Sequence, residues 1–169
     1  MIVAWVVEIL IVAIIAATLV YFFGMRTTNQ GQSMSPTLEA GDKVLIDRFV
    51  YMFKNPEAGD LIVFLPNGNE KSHYYIKRVV GTPGDTVQIK NGKVYVNGEE
   101  FEEEIEVSKI ENAELAEDEI KLAKDEYFVL GDNRNNSEDS RHVGIGNIKD
   151  DYIIGKAWFN ATHGKMGKL

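Results

Sequence analysis

From Ile2 to Phe23 the chain is apolar almost without interruption, broken only by Glu8 and Thr18. A helix needs about 20 such residues to cross the hydrocarbon core of a bilayer, so the run predicts a single transmembrane anchor over residues 1–24. Trp5 lies near one end and Tyr21 near the other, where amphipathic rings suit the headgroup layer. Glu8 is a modest penalty if it sits close to the interface. A cleavable signal peptide would show a basic start and a shorter apolar core. Met1-Ile2-Val3 carries no basic side chain and the run is long, so an uncleaved anchor is expected. Orientation stays open at this point: Arg26 alone would keep the C-terminal side cytoplasmic on a literal charge count, and one charge is weak evidence.

The remaining residues, 25–169, suffice for one compact domain of ordinary size. The chain has no cysteine, which excludes disulfides, thiolate zinc sites and cysteine nucleophiles together. Its formal charge of -8 argues against a nucleic-acid partner, whose footprint would be basic. Beyond Gly24, short apolar runs alternate with turn signals. Val44 to Ile46, Leu61 to Leu65, Tyr74 to Val80, Thr86 to Ile89 and Lys93 to Val96 read as strands, joined by Tyr127 to Leu130 and Tyr152 to Ile154. Asn91-Gly92 and Asn97-Gly98 mark tight turns between them. Strands this short, with turns this frequent, predict an all-β antiparallel domain rather than βαβ units. Residues 99–119 break the pattern: glutamates crowd the segment and Lys109 is its only basic residue. Such a run predicts a solvated surface or a mobile insertion.

Three segments could carry chemistry. Ser33 stands in Ser33-Met34-Ser35-Pro36-Thr37-Leu38, where Gly31 permits close backbone approach and Pro36 stiffens the turn. Ser35 is an equally polar competitor, and composition does not choose between the two. Lys77 lies inside Tyr75-Ile76-Lys77-Arg78-Val79-Val80-Gly81. Strand alternation puts Tyr75, Lys77 and Val79 on one face and Ile76, Arg78 and Val80 on the other. Apolar neighbours on its own face would desolvate the ammonium and favour the neutral amine that a general base requires. The third segment, Gly131 to Arg141, is dense in groups that bond their own backbone and hold a loop in one shape. Asp139 with Arg141, or Asp132 with Arg134, could brace it. His73, His142 and His163 form no catalytic pattern, and no ligand spacing for a metal appears.

Taken in this order behind an anchor, the segments resemble the type I signal peptidases, in the compact form common among Gram-positive bacteria. The matching stretches are Ser33 to Leu38, Gly59 to Phe64, Tyr75 to Gly81 with Gly84-Asp85, and Gly131 to Gly144. The resemblance implies the β-sheet fold that signal peptidases share with LexA-like self-cleaving proteases. It implies Ser33, rather than Ser35, as nucleophile and Lys77 as base, a known variant of triad logic. It assigns Ser137 to orient the lysine, and Asp139 to hold the site together with Arg141 or Arg78. The Ser33 backbone N–H would serve an oxyanion hole, while Gly31 takes the place of a serine that supplies a second donor in some members. Met34, Tyr75 and Ile76 are candidates for the substrate-pocket walls. It further implies substrates that are preprotein signal peptides with small residues at the first and third positions before the cut (Ala-x-Ala). Membrane lipids and nearby export machinery would be its partners, with no cofactor and no metal. The catalytic domain would be extracytoplasmic, on a single-pass anchor in the cell membrane. A LexA-like self-cleaving protease is the alternative within hydrolases, against which the anchor and the lack of a DNA-binding segment weigh. An inactive membrane-tethered binding module is the non-enzymatic alternative, against which the presence of both Ser33 and Lys77 weighs.

Overall fold

The computed structural model describes residues 2–103 and 105–169. Met1 of the expected anchor and Glu104 of the acidic run lie outside the described residues. Helix α1 spans Ile2–Phe23, and none of its residues is buried against the rest of the chain. At 1.5 Å per residue, its 22 residues extend about 33 Å, enough to cross a bilayer core.

Beyond the helix the chain is β-structure: β1 Met25–Thr28, β2 Lys43–Asp47, β3 Leu61–Phe64, β4 Tyr75–Gly81, β5 Thr86–Lys90, β6 Lys93–Val96, β7 Glu99–Glu100, β8 Ile120–Lys121, β9 Glu126–Leu130, β10 Ile148–Lys149, β11 Ile153–Asn160 and β12 Gly167–Lys168. Every pairing is antiparallel. An eight-stranded sheet runs β1-β2-β11-β3-β4-β9-β10 with β12 on β11, and a four-stranded sheet runs β7-β6-β5-β8. Asn91 and Gly92 both take positive φ, 54° and 77°, which is the geometry that a two-residue hairpin between β5 and β6 demands. Asn97 and Gly98 do the same between β6 and β7.

All four residues of β3 are buried, because the strand is covered on both faces. Leu61 and Val63 pack in one apolar cluster with Val44, Ile46, Ile76 and Ala157, while Ile62 and Phe64 pack in a second with Val79, Tyr127 and Val129. This accounts for the unbroken Leu-Ile-Val-Phe run, which has no polar alternation. Met34 and Leu38 insert into the first cluster from the loop after β1, so burial of two large side chains pins the segment that carries Ser33. A third cluster joins the two sheets through Val80, Phe128 and Leu130 on one side and Val87, Ile89 and Val94 on the other.

The acidic segment departs from its expectation as a solvated surface. Ile110 and Ala116 are buried in the third cluster, with Phe101 and Ala113 packed against it, and Glu99–Glu100 pair with β6. Glu102, Glu106, Glu111, Glu114, Glu117 and Glu119 are exposed between these apolar anchors, while Glu103 turns inward to Arg134, so charge count concealed a pattern of burial. Strand β1 is also new, since Met-Arg-Thr-Thr at a sheet edge carries no apolar alternation to reveal it. Strand β11 runs on to Asn160 beyond the expected Ile154, through Gly155, where a Cβ would stand 2.4 Å from the Asp47 carbonyl oxygen. The glycine that interrupts the apolar pattern is the one that lets β2 and β11 approach.

Candidate active site

Ser33 and Lys77 come from different layers of the fold. Lys77 sits in the middle of β4, paired with Ile62 of β3, and only 3% of its surface reaches solvent. Ser33 sits at the head of the loop that Met34 and Leu38 anchor. Asn29, itself buried, reinforces that loop by donating from Nδ2 to the carbonyls of Leu38 and Glu39 at 3.2 and 3.0 Å. The two side chains meet at hydrogen-bond distance: Lys77 Nζ donates to Ser33 Oγ at 2.6 Å. The Tyr75 ring, on the same face of β4, lies 5.4 Å from Nζ. Burial pushes the Lys77 amine down to about 8, against the pull of the Asp139, Glu138 and Asp132 carboxylates.

The loop from Gly131 to Arg141 closes the site from the other side. Asn133 N–H donates to the Ser33 carbonyl at 3.0 Å, and Asn133 Nδ2 to the Gln32 carbonyl at 3.1 Å. Gly131 is required by crowding: a Cβ there would lie 2.2 Å from Ser137 Oγ and 2.5 Å from the Ser33 carbonyl oxygen. Asp139 is fully buried and accepts from Arg141 Nε and Nη2, both at 2.8 Å, and from the Gly131 N–H at 3.0 Å. Arg141 in turn donates from Nη2 to the Arg134 carbonyl at 2.6 Å.

Several expected partners are exchanged. Arg78 does not pair with Asp139. It makes a two-pronged contact with Asp132, Nε to Oδ1 and Nη2 to Oδ2 both at 2.8 Å, and Thr37 Oγ1 donates to the same carboxylate at 2.6 Å. Arg134, in place of Asp132, takes Glu103 of the acidic segment, with Nη2 to Oε2 at 2.8 Å. Ser137 lines the same cleft as Lys77, but its buried hydroxyl has no hydrogen-bond partner among the described residues, so the expected bond to the lysine amine is not made. Met34, expected as a pocket wall, is fully buried in the core and lies behind the cleft rather than along it. Asn29, Asn133, Thr37 and Glu103 were not singled out in the sequence. Of these, only Asn133 carried a signal, its place in the polar loop.

The cleft beside the two side chains measures about 510 Å³ and is lined by Gln30, Gly31, Tyr74, Tyr75, Ile76 and Ser137 among others. The Ser33 N–H donates to no protein acceptor among the described residues. Gly31 has φ +80°, a left-handed conformation that favours glycine, and a side chain there would meet open space. Backbone geometry thus explains why no hydroxyl is offered at this position. Among the described residues no group of three or more His, Asp or Glu side chains is arranged to hold a metal ion.

The comparisons with known proteins converge on one family. A family model described as "Signal peptidase, peptidase S26" matches residues 2–161. Signal peptidase I P of Bacillus subtilis subsp. natto is 39% identical over 165 residues, covering 91% of this chain and 85% of that protein. Signal peptidase IB of Staphylococcus aureus is 34% identical over 172 residues, covering 92% and 86%. A crystal structure of a signal peptidase I from Enterococcus faecalis V583 is 31% identical, with a TM-score of 0.48 over 61% of this chain and 97% of that one. A family model covering nearly the whole chain, and relatives this similar over most of their own length, lead to one conclusion: the chain belongs to the signal peptidase family, peptidase S26.

Proposed function

We propose that this signal peptidase cleaves preproteins with Ser33 as nucleophile and Lys77 as general base, from a membrane anchor formed by α1. The observation that carries the reading is the 2.6 Å contact between a buried lysine amine and a serine hydroxyl at the edge of a cleft. With the amine neutral, the same separation lets Ser33 Oγ–H donate to the Nζ lone pair. Ser33 Oγ then attacks the scissile carbonyl while Lys77 Nζ takes its proton. The Lys77 ammonium returns that proton to the leaving amine as the peptide bond breaks and the acyl-enzyme forms. Neutral Lys77 next takes a proton from water as it attacks the ester carbonyl, and the Lys77 ammonium returns that proton to Ser33 Oγ as the C–Oγ bond breaks, freeing the carboxyl product and restoring both side chains. The Ser33 N–H is suited to meet the oxyanion, a contribution worth a few kcal/mol per donor in comparable sites.

An extended substrate lying along the cleft would send alternate side chains to the same wall. The first and third residues before the cut therefore share one environment, in keeping with the Ala-x-Ala preference that the family resemblance implies. Tyr75 and Ile76 are the walls we assign to it. The apolar length of α1 supports a single-pass anchor, and the same resemblance puts the catalytic domain outside the cytoplasm, where signal peptides emerge.

The test is the pH dependence of kcat/KM on an Ala-x-Ala preprotein. A base that acts only when neutral gains activity as it loses its proton. The rate is therefore expected to rise about tenfold per pH unit up to pH about 8 and then level off. A rate that stays flat from pH 5 to 9 would remove Lys77 from the role of base.

A further inference from the structure

Among the described residues, the cleft beside Ser33 and Lys77 carries a single carboxylate on its lining, that of Glu138. Asn29, Gln30, Gln32, Asn135 and Asn136 supply amides, and Tyr74 and Tyr75 supply rings. Besides Lys77, His73 is the only other lining residue able to carry a positive charge. Three carboxylates hold the Lys77 amine up against the effect of burial: Asp139, Glu138 and Asp132. Two of them are buried and matched by a cation, Asp139 by Arg141 and Asp132 by Arg78. Glu138 is exposed, and no cation among the described residues stands within ion-pair distance of it. Its contact with the opposite wall is weak: Tyr75 Oη donates to Glu138 Oε2 at 3.5 Å, near the outer limit for such a bond. The fold therefore leaves this charge free to act on what enters the cleft.

The same contact fixes where along the cleft the charge stands. Tyr75 belongs to β4 and Glu138 to the loop after β9, so the two side chains reach toward each other from opposite walls. Tyr75 and Lys77 share a face of β4 two residues apart, roughly 7 Å along the strand. The Tyr75 ring lies 5.4 Å from Lys77 Nζ. Ser137, which precedes Glu138, crowds Gly131 from the same side as the Ser33 carbonyl. The charge is thus about two extended residues or less from the bond that Ser33 attacks.

We infer that Glu138 selects among preproteins by charge, favouring a basic and disfavouring an acidic side chain within two residues of the cut. The inference rests on the reading of Ser33 and Lys77 above and deepens it. Small side chains are called for at the first and third positions before the cut. The second position before it and the first two after it are left open, and these are the positions that a charge at Glu138 can reach. Complementary charge discriminates between partners more than it raises affinity. An exposed carboxylate supports a preference of about fivefold rather than an absolute gate.

The test uses the full chain in detergent and one Ala-x-Ala preprotein. The substrate carries Lys, Gln or Glu in turn at the second position before the cut and at the first and second after it. In low salt, kcat/KM at one or more of these positions is expected to rank Lys over Gln over Glu, by about fivefold per step. The steps should shrink toward one in about 1 M salt, where charges are screened beyond about 3 Å. Glu138→Gln should flatten the ranking and Glu138→Lys should invert it, while Glu99→Gln, which removes a charge on β7, should keep it. A ranking that survives Glu138→Gln traces to the overall charge of -8 and overturns the inference. The absence of any ranking in the parent chain does the same. So does a loss of rate in Glu138→Gln that is equal for all three side chains, which would mark Glu138 as a support of its loop. In those three cases cleavage still depends on Ser33, and the proposed dyad stands. Cleavage of the Gln substrate by Ser33→Ala at the parent rate would instead remove the site, and the inference with it.

Discussion

Ser33→Ala is expected to abolish preprotein cleavage, with kcat lowered by at least about 10⁴-fold, and Lys77→Ala should match it. When a nucleophile and its base act as a unit, removing either one destroys most of the rate enhancement, and removing the second adds little. The double variant should therefore be no slower than either single one. Lys77→Arg should be equally inactive, because a guanidinium does not deprotonate at any working pH. Ser35→Ala sets the contrast. The Ser35 hydroxyl donates to Glu39 Oε1 at 2.9 Å, a local contact within its own turn, so its removal should leave kcat within about threefold. These variants are read by single-turnover cleavage in detergent, with thermal unfolding as the control for folding. Cleavage by Ser33→Ala at a wild-type rate would end the assignment. Loss of activity in Ser35→Ala, with Ser33→Ala active, would move the nucleophile two residues along.

Local signals brought both segments of the proposed dyad into view, but they left Ser33 and Ser35 level, and the family resemblance chose Ser33. Lys77 stands among apolar residues with strand alternation, and Ser33 in a Gly- and Pro-bracketed turn. Local pattern also marked the two Asn-Gly turns and the strands that build the core. What pattern could not supply were the partners of buried charges. Whether Arg78 meets Asp132 or Asp139 depends on how the loop after β9 folds back across β4, a matter of tertiary register that adjacency in sequence does not encode. Arg134 illustrates the same limit, since its partner Glu103 comes from a segment that composition marked as solvent-facing. The edge strand β1 escaped for a related reason. A strand paired on one side only needs no apolar face, so Met-Arg-Thr-Thr reads as loop until β2 is placed beside it. Ser137 remains the most instructive departure. The resemblance gave it a bond to the lysine, yet its hydroxyl sits buried beside Gly131 and the Ser33 carbonyl without a partner among the described residues. Buried hydroxyls in this condition are rare in folded proteins, and one at the edge of a cleft is open to a group that a substrate brings.

The second large effect is expected from Asp132→Ala, and here the loss is of stability as well as rate. Asp132 is 3% exposed and Arg78 7%, and the guanidinium places two of its nitrogens on the carboxylate and a third, Nη1, on the Gly59 carbonyl at 2.9 Å. Removing the carboxylate leaves a buried cation with nothing to balance it, which costs about 3–5 kcal/mol in comparable sites. For a chain of 169 residues this corresponds to a drop in Tm of roughly 6–20 °C. Exposed pairs behave differently. Lys93 and Glu100 are about half exposed, so Glu100→Ala should move Tm by no more than about 2–4 °C, since such pairs contribute at most about 1 kcal/mol. Activity should follow the buried pair for a specific reason: Thr37 donates to Asp132, and the next residue, Asn133, holds the Ser33 carbonyl through its backbone N–H. Asp132→Ala therefore loosens the serine loop at two points. At a temperature where the variant is still folded, kcat should fall while the apparent pKa of the rate drops slightly, because one carboxylate that raises the Lys77 pKa has gone. The double variant Arg78→Met/Asp132→Leu should recover much of the Tm by replacing both charges with apolar groups, yet not the rate. An Asp132→Ala protein that melts within about 1 °C of the parent would show that the pair contributes nothing to the fold. Full recovery of rate in the double variant would show that it contributes nothing to the site.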